Sequence, residues 1–569
     1  MKQLKKFKIV LLISGKKSFY KLLVILSFAS ILEIGGVGLF YPYLDFLLNP
    51  LQIFNSNIFN TIYYFFNFSS TDSFLFWFGV AAISLVVTSS AIGAYSRVLT
   101  DRYIWSANIL LIRLSFKRYI EKAYLDLKKL NSNNITNNII VEVGVFINGL
   151  IVPLFDAIPR IFILFLSSIL LFFVDYKVAL SIFSVTFLIY FGIFRYFRKR
   201  LSFMSEKRFE MQQALFDYVN SSIRAVKDIK VNNSQDYFIN RVEKPATTYS
   251  RLNQAISKFS LMPRYFLEAM VFSTAMLVLL VNQSTNRINE VIPILSLYAI
   301  AAFRLIPHVQ GLFTAFAKIK FNIKALDIMS SHLEEKESQY IQKNYVENFE
   351  SIETSNVSFG FADSDKYLFH HINFKVSSNQ FVIIVGKSGS GKSTFIEILL
   401  GLIEPKEGTI LLNGHPLTGM EVLSSSLNIG YVSQDVILFE GTLRENIILY
   451  KNKDMDEGWL NKVTDIACLD DVVKSIGGTI DGKIYEGGKN LSVGQRQRVS
   501  IARSIFNNPQ LLFLDEATSA LDSNTELNVI LNIKSIGTTV ILITHNSNLI
   551  MHSDATYELR NSTLKLKTI

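Results

Sequence analysis

Six stretches of the chain are apolar over nearly the length needed to cross a hydrocarbon layer, about 20 residues. They cover roughly 19–42, 73–96, 147–174, 177–196, 263–282 and 290–315. The third and fourth are separated only by "VDYK", which predicts a tight turn between antiparallel helices. The connections after the second and fourth are long, about 50 and 65 residues, and carry helical patterns such as "IRLSFKRYIEKAYLDLKKL" and "MSEKRFEMQQALFDYVNSSIRAVKDI". These are expected to extend the spanning helices beyond the membrane, each pair closed by a turn. After about residue 320 the pattern changes: charges become ordinary in frequency, and short apolar runs alternate with glycine-rich and polar stretches. A polar segment, "SSHLEEKESQYIQKNYVENFE", marks the change. The expected organisation is a membrane domain over 1–325, a linker over 326–349 and a soluble domain over 350–569.

Lysine and arginine placement sets the orientation. The first 21 residues hold seven of them, Tyr43–Phe76 holds none, and the other two outer turns hold one each, Lys177 and Arg287. The long connections are rich in both. Six crossings then leave both termini and the soluble domain in the cytoplasm. The N-terminal apolar run continues past residue 40, so it is expected to be a retained spanning helix and not a cleaved signal peptide. The aromatic, uncharged outer segment "LLNPLQIFNSNIFNTIYYFFNF" fits either an interfacial helix against the outer leaflet or a packed loop.

Composition sharpens this picture in three ways. The 569 residues exceed one core, half are hydrophobic and only 18% are charged, below the usual quarter for soluble proteins. The formal net charge of +10 could suit nucleic acid, but the basic residues cluster beside apolar runs, as anchoring at a membrane face requires. A single cysteine, Cys468, excludes a disulfide framework or a cysteine-based zinc site within the chain, and it reads as a small apolar residue in "VTDIACLDDVV".

The soluble half carries the chemistry. "FVIIVGKSGSGKSTFIEILLGL" is a buried strand, a glycine-rich turn and a helix start. Gly386, Gly391, Lys392 and Ser393 match G-x-x-x-x-G-K-[ST] in the strand–loop–helix setting the pattern needs. Backbone N–H groups of such a loop wrap phosphates, and the helix N-terminus adds a favourable field. Lys392 is placed to reach the β- and γ-phosphates, and Ser393 to supply an oxygen to Mg²⁺. Downstream, "QLLFLDEATSALD" is a second buried strand ending in two carboxylates. Asp515 is placed to hold Mg²⁺ and Glu516 to act as general base on the attacking water. His370 and His371 have no companion ligands and make a poor metal pair.

Between these motifs lies "LSVGQRQRVSIARSI". Residues 491–495 resemble the signature peptide of ABC ATPases, usually LSGGQ, with Val493 in place of the first paired glycine. The resemblance covers 350–569. Phe361 stands where the family stacks an aromatic ring on adenine, Gln434 matches the loop glutamine that touches Mg²⁺, "SALD" (519–522) the loop that contacts the partner, and His545 the histidine that contacts the γ-phosphate. Glu486 and Gly488 match the contact loop of exporter-type members, with Tyr485 where a glycine is common. The resemblance implies an α/β P-loop ATPase domain behind a six-helix transmembrane domain of ABC exporter type. It implies ATP and Mg²⁺ as cofactors and Glu516, His545 and Lys392 as the catalytic set. ATP contacts are implied at Phe361, Gly386, Lys387, Ser388, Gly389, Ser390, Gly391, Lys392, Ser393, Thr394, Gln434 and Asp515. The opposite subunit would add Ser492, Val493, Gly494 and Gln495, and Mg²⁺ would lie at Ser393, Gln434 and Asp515. With one copy of each element, the chain resembles a half-transporter whose simplest assembly is a homodimer with two working sites.

Three ionisable residues interrupt the fifth and sixth apolar stretches. Counted at 1.5 Å per residue from the outer ends, Arg304 lies about 21 Å deep, Arg264 about 25 Å and Glu268 about 20 Å. A mid-membrane charge costs about 2.5–3.5 kcal/mol even on the lenient insertion scale, so such residues face a cavity or a partner. Arg304 is expected either to pair with Glu268 or to form, with Arg264, a basic patch for an anionic group such as a lipid phosphate; both can hold at once. "PRYFLE" and "FRLIP", with the uncharged outer segment, resemble bacterial flippases of lipid-linked oligosaccharides. That resemblance implies a polyprenyl-pyrophosphate glycan carried to the outer leaflet of the bacterial cytoplasmic (inner) membrane, with Arg264 and Arg304 on the pyrophosphate. The alternatives are an exporter of another amphiphile (lipid A, phospholipid, drug or peptide) and an ATP-gated channel; members of the latter kind tend to lose the acid that Glu516 preserves.

Overall fold

The computed structural model describes residues 15–174, 176–283, 288–334, 348–361, 366–418, 421–422, 427–449 and 456–567. Two compact units make up the chain: Met1–Lys122 with Lys128–Ser338, and Ala123–Leu127 with Gln339–Ile569.

The first unit is helical. Its long helices are α1 (Lys16–Gly38), α2 (Thr71–Ile120), α3 (Val152–Val174), α4 (Tyr176–Arg224), α5 (Gln235–Gln283) and α6 (Ile288–Phe321). Among the described residues, Lys17–Gly35, Thr71–Ile120 and Asn133–Ile169 are long and apolar enough to cross a membrane. Three helices greatly outrun the apolar stretches that announced them: α2 spans 50 residues, and α4 and α5 span 49 each. Beyond the apolar part each continues with charged and amphipathic turns, so helix propensity persists where hydropathy ends. Asp175 and residues 284–287, where the sequence leads one to expect two short turns, lie outside the described residues.

Two features were not announced by hydropathy. The stretch before α3 contains two π-helical segments, Asn137–Glu142 and Ile147–Ile151, which form part of the buried wall with Val143, Phe146 and Leu150. The segment between the first two long helices forms short helices at Phe40–Leu48 and Asn57–Phe65, held by a small apolar core of Phe46, Ile53 and Phe74. Phe74 stacks on Phe78 at 5.7 Å, and Phe46 meets Phe59 edge-on at 4.9 Å. Such ring pairs add about 0.5–1.5 kcal/mol each beyond the area they bury.

The second unit is α/β. One sheet has the order β2–β1–β4–β5, from β1 (Ser351–Phe359), β2 (Phe369–Ser377), β4 (Glu407–Leu412) and β5 (His415–Leu417), all antiparallel. The larger sheet has the order β10–β9–β3–β8–β7–β6. It is made of β3 (Phe381–Gly386), β6 (Ile429–Val432), β7 (Leu511–Asp515), β8 (Thr539–Ile543), β9 (Ala555–Arg560) and β10 (Thr563–Leu566). All its pairs are parallel except the edge pair β9–β10. The continuous apolar runs "FVII", "LLFL" and "TVILI" follow from that arrangement, because a central parallel strand is covered on both faces. β7 and β8 are buried along their whole length. Their register, Ile543 beside both Asp515 and Ile384, brings the loops after β3, β7 and β8 to one edge of the sheet, where ligands of open parallel sheets bind.

Candidate active site

The loop after β3 leads into α7 (Lys392–Leu399). Two glycines in it are obligatory for different reasons. Gly391 precedes the helix at φ +100°, a left-handed conformation that favours glycine, and a Cβ on it would lie 2.9 Å from Leu368. Gly386 has ordinary backbone angles, but a Cβ there would meet the Leu559 carbonyl oxygen at 2.6 Å. The Lys392 ammonium is buried and donates to the Gly386 and Lys387 carbonyls at 3.0 and 3.1 Å, bonds that hold the loop in a ring. Burial lowers its pKa, while the carboxylates of Glu516 and Asp515 act the other way. Ser390 Oγ is buried without a hydrogen-bond partner, an orphaned group whose desolvation a phosphate oxygen would relieve.

Ser393 Oγ donates to Asp515 Oδ1 at 3.1 Å. Burial raises the Asp515 pKa, and the Ser393 hydrogen bond only partly offsets that. Next to it, Glu516 adopts φ +49°, which for a residue with a Cβ costs roughly 1–2 kcal/mol. The turn is fixed from both sides: Glu516 N–H donates to the Ile543 carbonyl at 3.2 Å, and its own carbonyl accepts from Ser519 N–H at 3.2 Å. The carboxylate is thereby aimed at two partners. Gln434 Nε2 donates to Glu516 Oε2 at 2.7 Å, and His545 Nε2 lies 3.3 Å from Glu516 Oε1. The structure therefore joins Lys392, Ser393, Gln434, Asp515, Glu516 and His545 in one cluster. Phe361 stands apart from it, 42% exposed, its ring edge-on to Phe359 at 5.3 Å.

The signature peptide opens α8 (Val493–Phe506). Ser492 caps it in a capping box with Gln495, each side chain bonding the other's backbone N–H. Gly494 is constrained by packing: a Cβ would lie 2.8 Å from the Ala520 carbonyl oxygen. Val493, the departure from the usual glycine, is 55% exposed and points away from the core.

Several buried polar side chains that knit these loops together were not singled out in the sequence. Gln497 donates to the Glu516 carbonyl and accepts from Ala520 N–H at 3.1 Å, tying α8 to the catalytic turn. Glu526, in the first turn of α9 (Ser523–Ser535), accepts from Thr518 Oγ1 at 2.6 Å and from Asn546 Nδ2 at 2.7 Å. It therefore bridges the "SALD" loop and the histidine loop. Within this same unit, Tyr124 donates to Glu397 Oε1 at 2.9 Å, and burial together with that carboxylate pushes its pKa up to about 12. The available signal was polar residues on the inward face of amphipathic helices, a pattern that marks burial but not partners.

In the helical unit, Arg304 does not pair with Glu268. Arg304 Nη2 donates to Glu33 Oε1 at 3.0 Å, with His308 Nε2 at 3.6 Å from the same oxygen. Glu268 is taken by Arg264 four residues earlier, at 2.6 Å. Counting residues gives depth but not rotation about the helix axis, and α1 rather than α5 supplies the acid.

Similarity to known proteins fits this geometry. The ABC transporter family profile matches residues 369–519. The whole chain superposes on a bacterial Atm1-family ABC exporter with ATP bound, with TM-score 0.77, 20% identity, and coverage of 97% of this chain and 95% of that one. The chain therefore has the fold of an ABC exporter half-transporter, with an ABC transporter ATPase domain. Its ATPase domain couples ATP hydrolysis to transport. A putative export ATP-binding/permease protein of Rickettsia bellii is 29% identical over 400 residues, 68% of each chain. An ATP-dependent lipid A-core flippase of Cupriavidus metallidurans is 36% identical over 203 residues, 35% of this chain and 34% of that one. The expected fold class, six-helix exporter domain followed by P-loop ATPase, is the one observed.

Proposed function

We propose that this half-transporter works as a homodimer in the bacterial inner membrane. It would flip a polyprenyl-pyrophosphate-linked oligosaccharide from the cytoplasmic to the outer leaflet for protein glycosylation or surface polysaccharide. The observation that carries the reading is the pair of arginines within the apolar helices. The side chains of Arg264 and Arg304 keep 52% and 46% of their surface exposed. Each is steadied by one carboxylate through a single nitrogen, Nε in Arg264 and Nη2 in Arg304, which leaves further N–H donors for an anion. Guanidinium groups with spare donors in a fixed fork suit the oxygens of a pyrophosphate.

In the ATPase domain, Lys392 would exchange its two loop carbonyls for phosphate oxygens, and Ser390 would gain a partner. Phe361 offers a ring to adenine. Ser393, Asp515 and Gln434 present hard oxygen donors, and two of them already share a 3.1 Å contact, so this set fits Mg²⁺. The ion would neutralise charge on the phosphates. Glu516, held by Gln434 and His545, takes the proton from water as that water attacks the γ-phosphorus and ADP leaves. The signature peptide Ser492–Gln495, rigid through its capping box, would close on the nucleotide of the opposite subunit.

ATPase activity of the purified protein in liposomes tests the reading, with Glu516→Gln as the blank. Stimulation by polyprenyl-pyrophosphate glycans that is lost in Arg264→Ala/Arg304→Ala supports it. Turnover indifferent to such lipids refutes it. The similarity to a lipid A-core flippase favours a second reading, export of another amphiphile, and stimulation by lipid A alone would select that one.

A further inference from the structure

A cavity of about 460 Å³ opens within the helical unit between α4, α5, α6 and the π-helical wall, lined by Asn148, Arg208, Asn253, Ser257, Thr314 and Lys318 among others. Its position along the helices relates it to the two arginines. On α5 its lining begins at Ser260 and Leu261, one turn before Arg264, and runs back to Tyr249, about 17 Å of helix. On α6 it reaches Lys318, about 21 Å beyond Arg304.

Several hydrogen-bonding groups of the lining are left open. Elsewhere in these helices many hydroxyls bond the carbonyl one turn back, as Ser27, Ser30, Thr100 and Ser168 do at 2.6–2.9 Å. The hydroxyls of Ser257, Ser260 and Thr314, which line the cavity, have no hydrogen-bond partner among the described residues. Two amides there, Asn148 and Asn253, spend one N–H on a carbonyl of their own helix and keep their oxygens as open acceptors. The wall behind them is rigid and close to neutral. Arg208 is buried, its charge met by Glu142 at 3.2 Å, and its Nε has no partner. The lone ammonium at the rim is Lys318. A second phosphate would need more positive charge than this, and an alkyl chain would leave the polar groups unsatisfied. Open donors and acceptors in alternation, with the Tyr249 ring at the far end, match the hydroxyls and apolar faces of a sugar.

We infer that this cavity holds the first sugar residues of the lipid-linked glycan, on the side of Arg264 and Arg304 away from the outer ends of α5 and α6. The inference rests on the flippase reading and extends it from the pyrophosphate to the head group. In that arrangement the arginines take the charge, the cavity selects for a glycan, and the bare lipid pyrophosphate binds more weakly.

Binding to the nucleotide-free protein in nanodiscs tests it. The probes are polyprenyl pyrophosphate and the same lipid carrying a short N-acetylhexosamine oligosaccharide. Wild type is expected to bind the glycosylated lipid at least tenfold more tightly. Ser257→Ala/Ser260→Ala/Thr314→Val should lose that preference while binding the bare lipid within twofold of wild type, which also shows that it is folded. Equal affinity of wild type for the two lipids overturns the inference and leaves the flippase reading standing. A preference that survives the triple substitution and also Asn253→Leu overturns it as well. If wild type binds neither lipid, or if Arg264→Ala/Arg304→Ala binds both unchanged, the flippase reading itself fails and the inference with it.

Discussion

Replacing Glu526 by leucine removes both acceptors on which two active-site loops converge. Glu526 is buried, and its carboxylate takes the Thr518 hydroxyl on one oxygen and the Asn546 amide on the other. Each bond to a charged group contributes about 1.5–3 kcal/mol. The leucine variant leaves a buried hydroxyl and an amide unpaired, and we expect a loss of about 3–5 kcal/mol, allowing for the apolar area leucine gains. Glutamine behaves differently. Its oxygen can still accept from Asn546, and the Thr518 hydroxyl can turn to accept from its amide, so only the charge assistance is lost, about 1–2 kcal/mol. For a domain of this size 1 kcal/mol shifts the melting temperature by about 2–4 °C. Calorimetry of the full chain in nanodiscs should therefore show the ATPase-domain transition falling by about 2–8 °C for Glu526→Gln and about 6–20 °C for Glu526→Leu, the leucine shift being the larger. ATPase activity measured well below either transition should fall more in the leucine variant, because the loops that carry Glu516 and His545 lose their common strut. Equal shifts for the two variants, or a leucine shift under 3 °C, would refute the reasoning.

Other expected outcomes follow from the same geometry. Glu516→Gln should lower ATP turnover by about 10²–10⁴-fold, the usual worth of a general base, while nucleotide binding read by fluorescence changes little. Gly494→Ala, whose Cβ would meet the Ala520 carbonyl at 2.8 Å, should lower ATPase activity, whereas Val493→Gly, at an exposed position, should leave the melting temperature within about 2 °C. Because burial raises the pKa of Asp515, its carboxylate protonates at a higher pH than an ordinary aspartate. Mg²⁺-dependent nucleotide binding should accordingly weaken on acidification before such a residue would titrate, and Asp515→Asn should remove that step from the pH profile.

Legibility in the sequence followed the range of the interactions. The phosphate loop could be read because strand, glycines, lysine and hydroxyl lie within a dozen residues and each has a local steric or electrostatic reason. The apolar stretches could be read because hydrocarbon imposes a length. What remained hidden was set by contacts between distant positions. Arg304 and Glu33 are 271 residues apart, and neither hydropathy nor depth counting fixes which face of a helix meets which neighbour. The same holds for Gln497 and Glu526, whose partners come from other loops. The long extensions of α2, α4 and α5 were expected in kind but not in extent, since a helix that has left lipid keeps its backbone bonds while its hydropathy falls to an ordinary value.

ATP-dependent translocation in proteoliposomes tests the central claim most directly. A polyprenyl-pyrophosphate oligosaccharide with a labelled glycan is placed in both leaflets, and its accessibility to an added glycan-modifying enzyme is followed. With ATP, the wild-type protein should move the lipid away from the leaflet that faces its ATPase domains. Glu516→Gln and Arg264→Ala/Arg304→Ala should not, the arginine variant keeping its basal ATP turnover. Translocation that proceeds without ATP, or that survives loss of both arginines, would contradict the account.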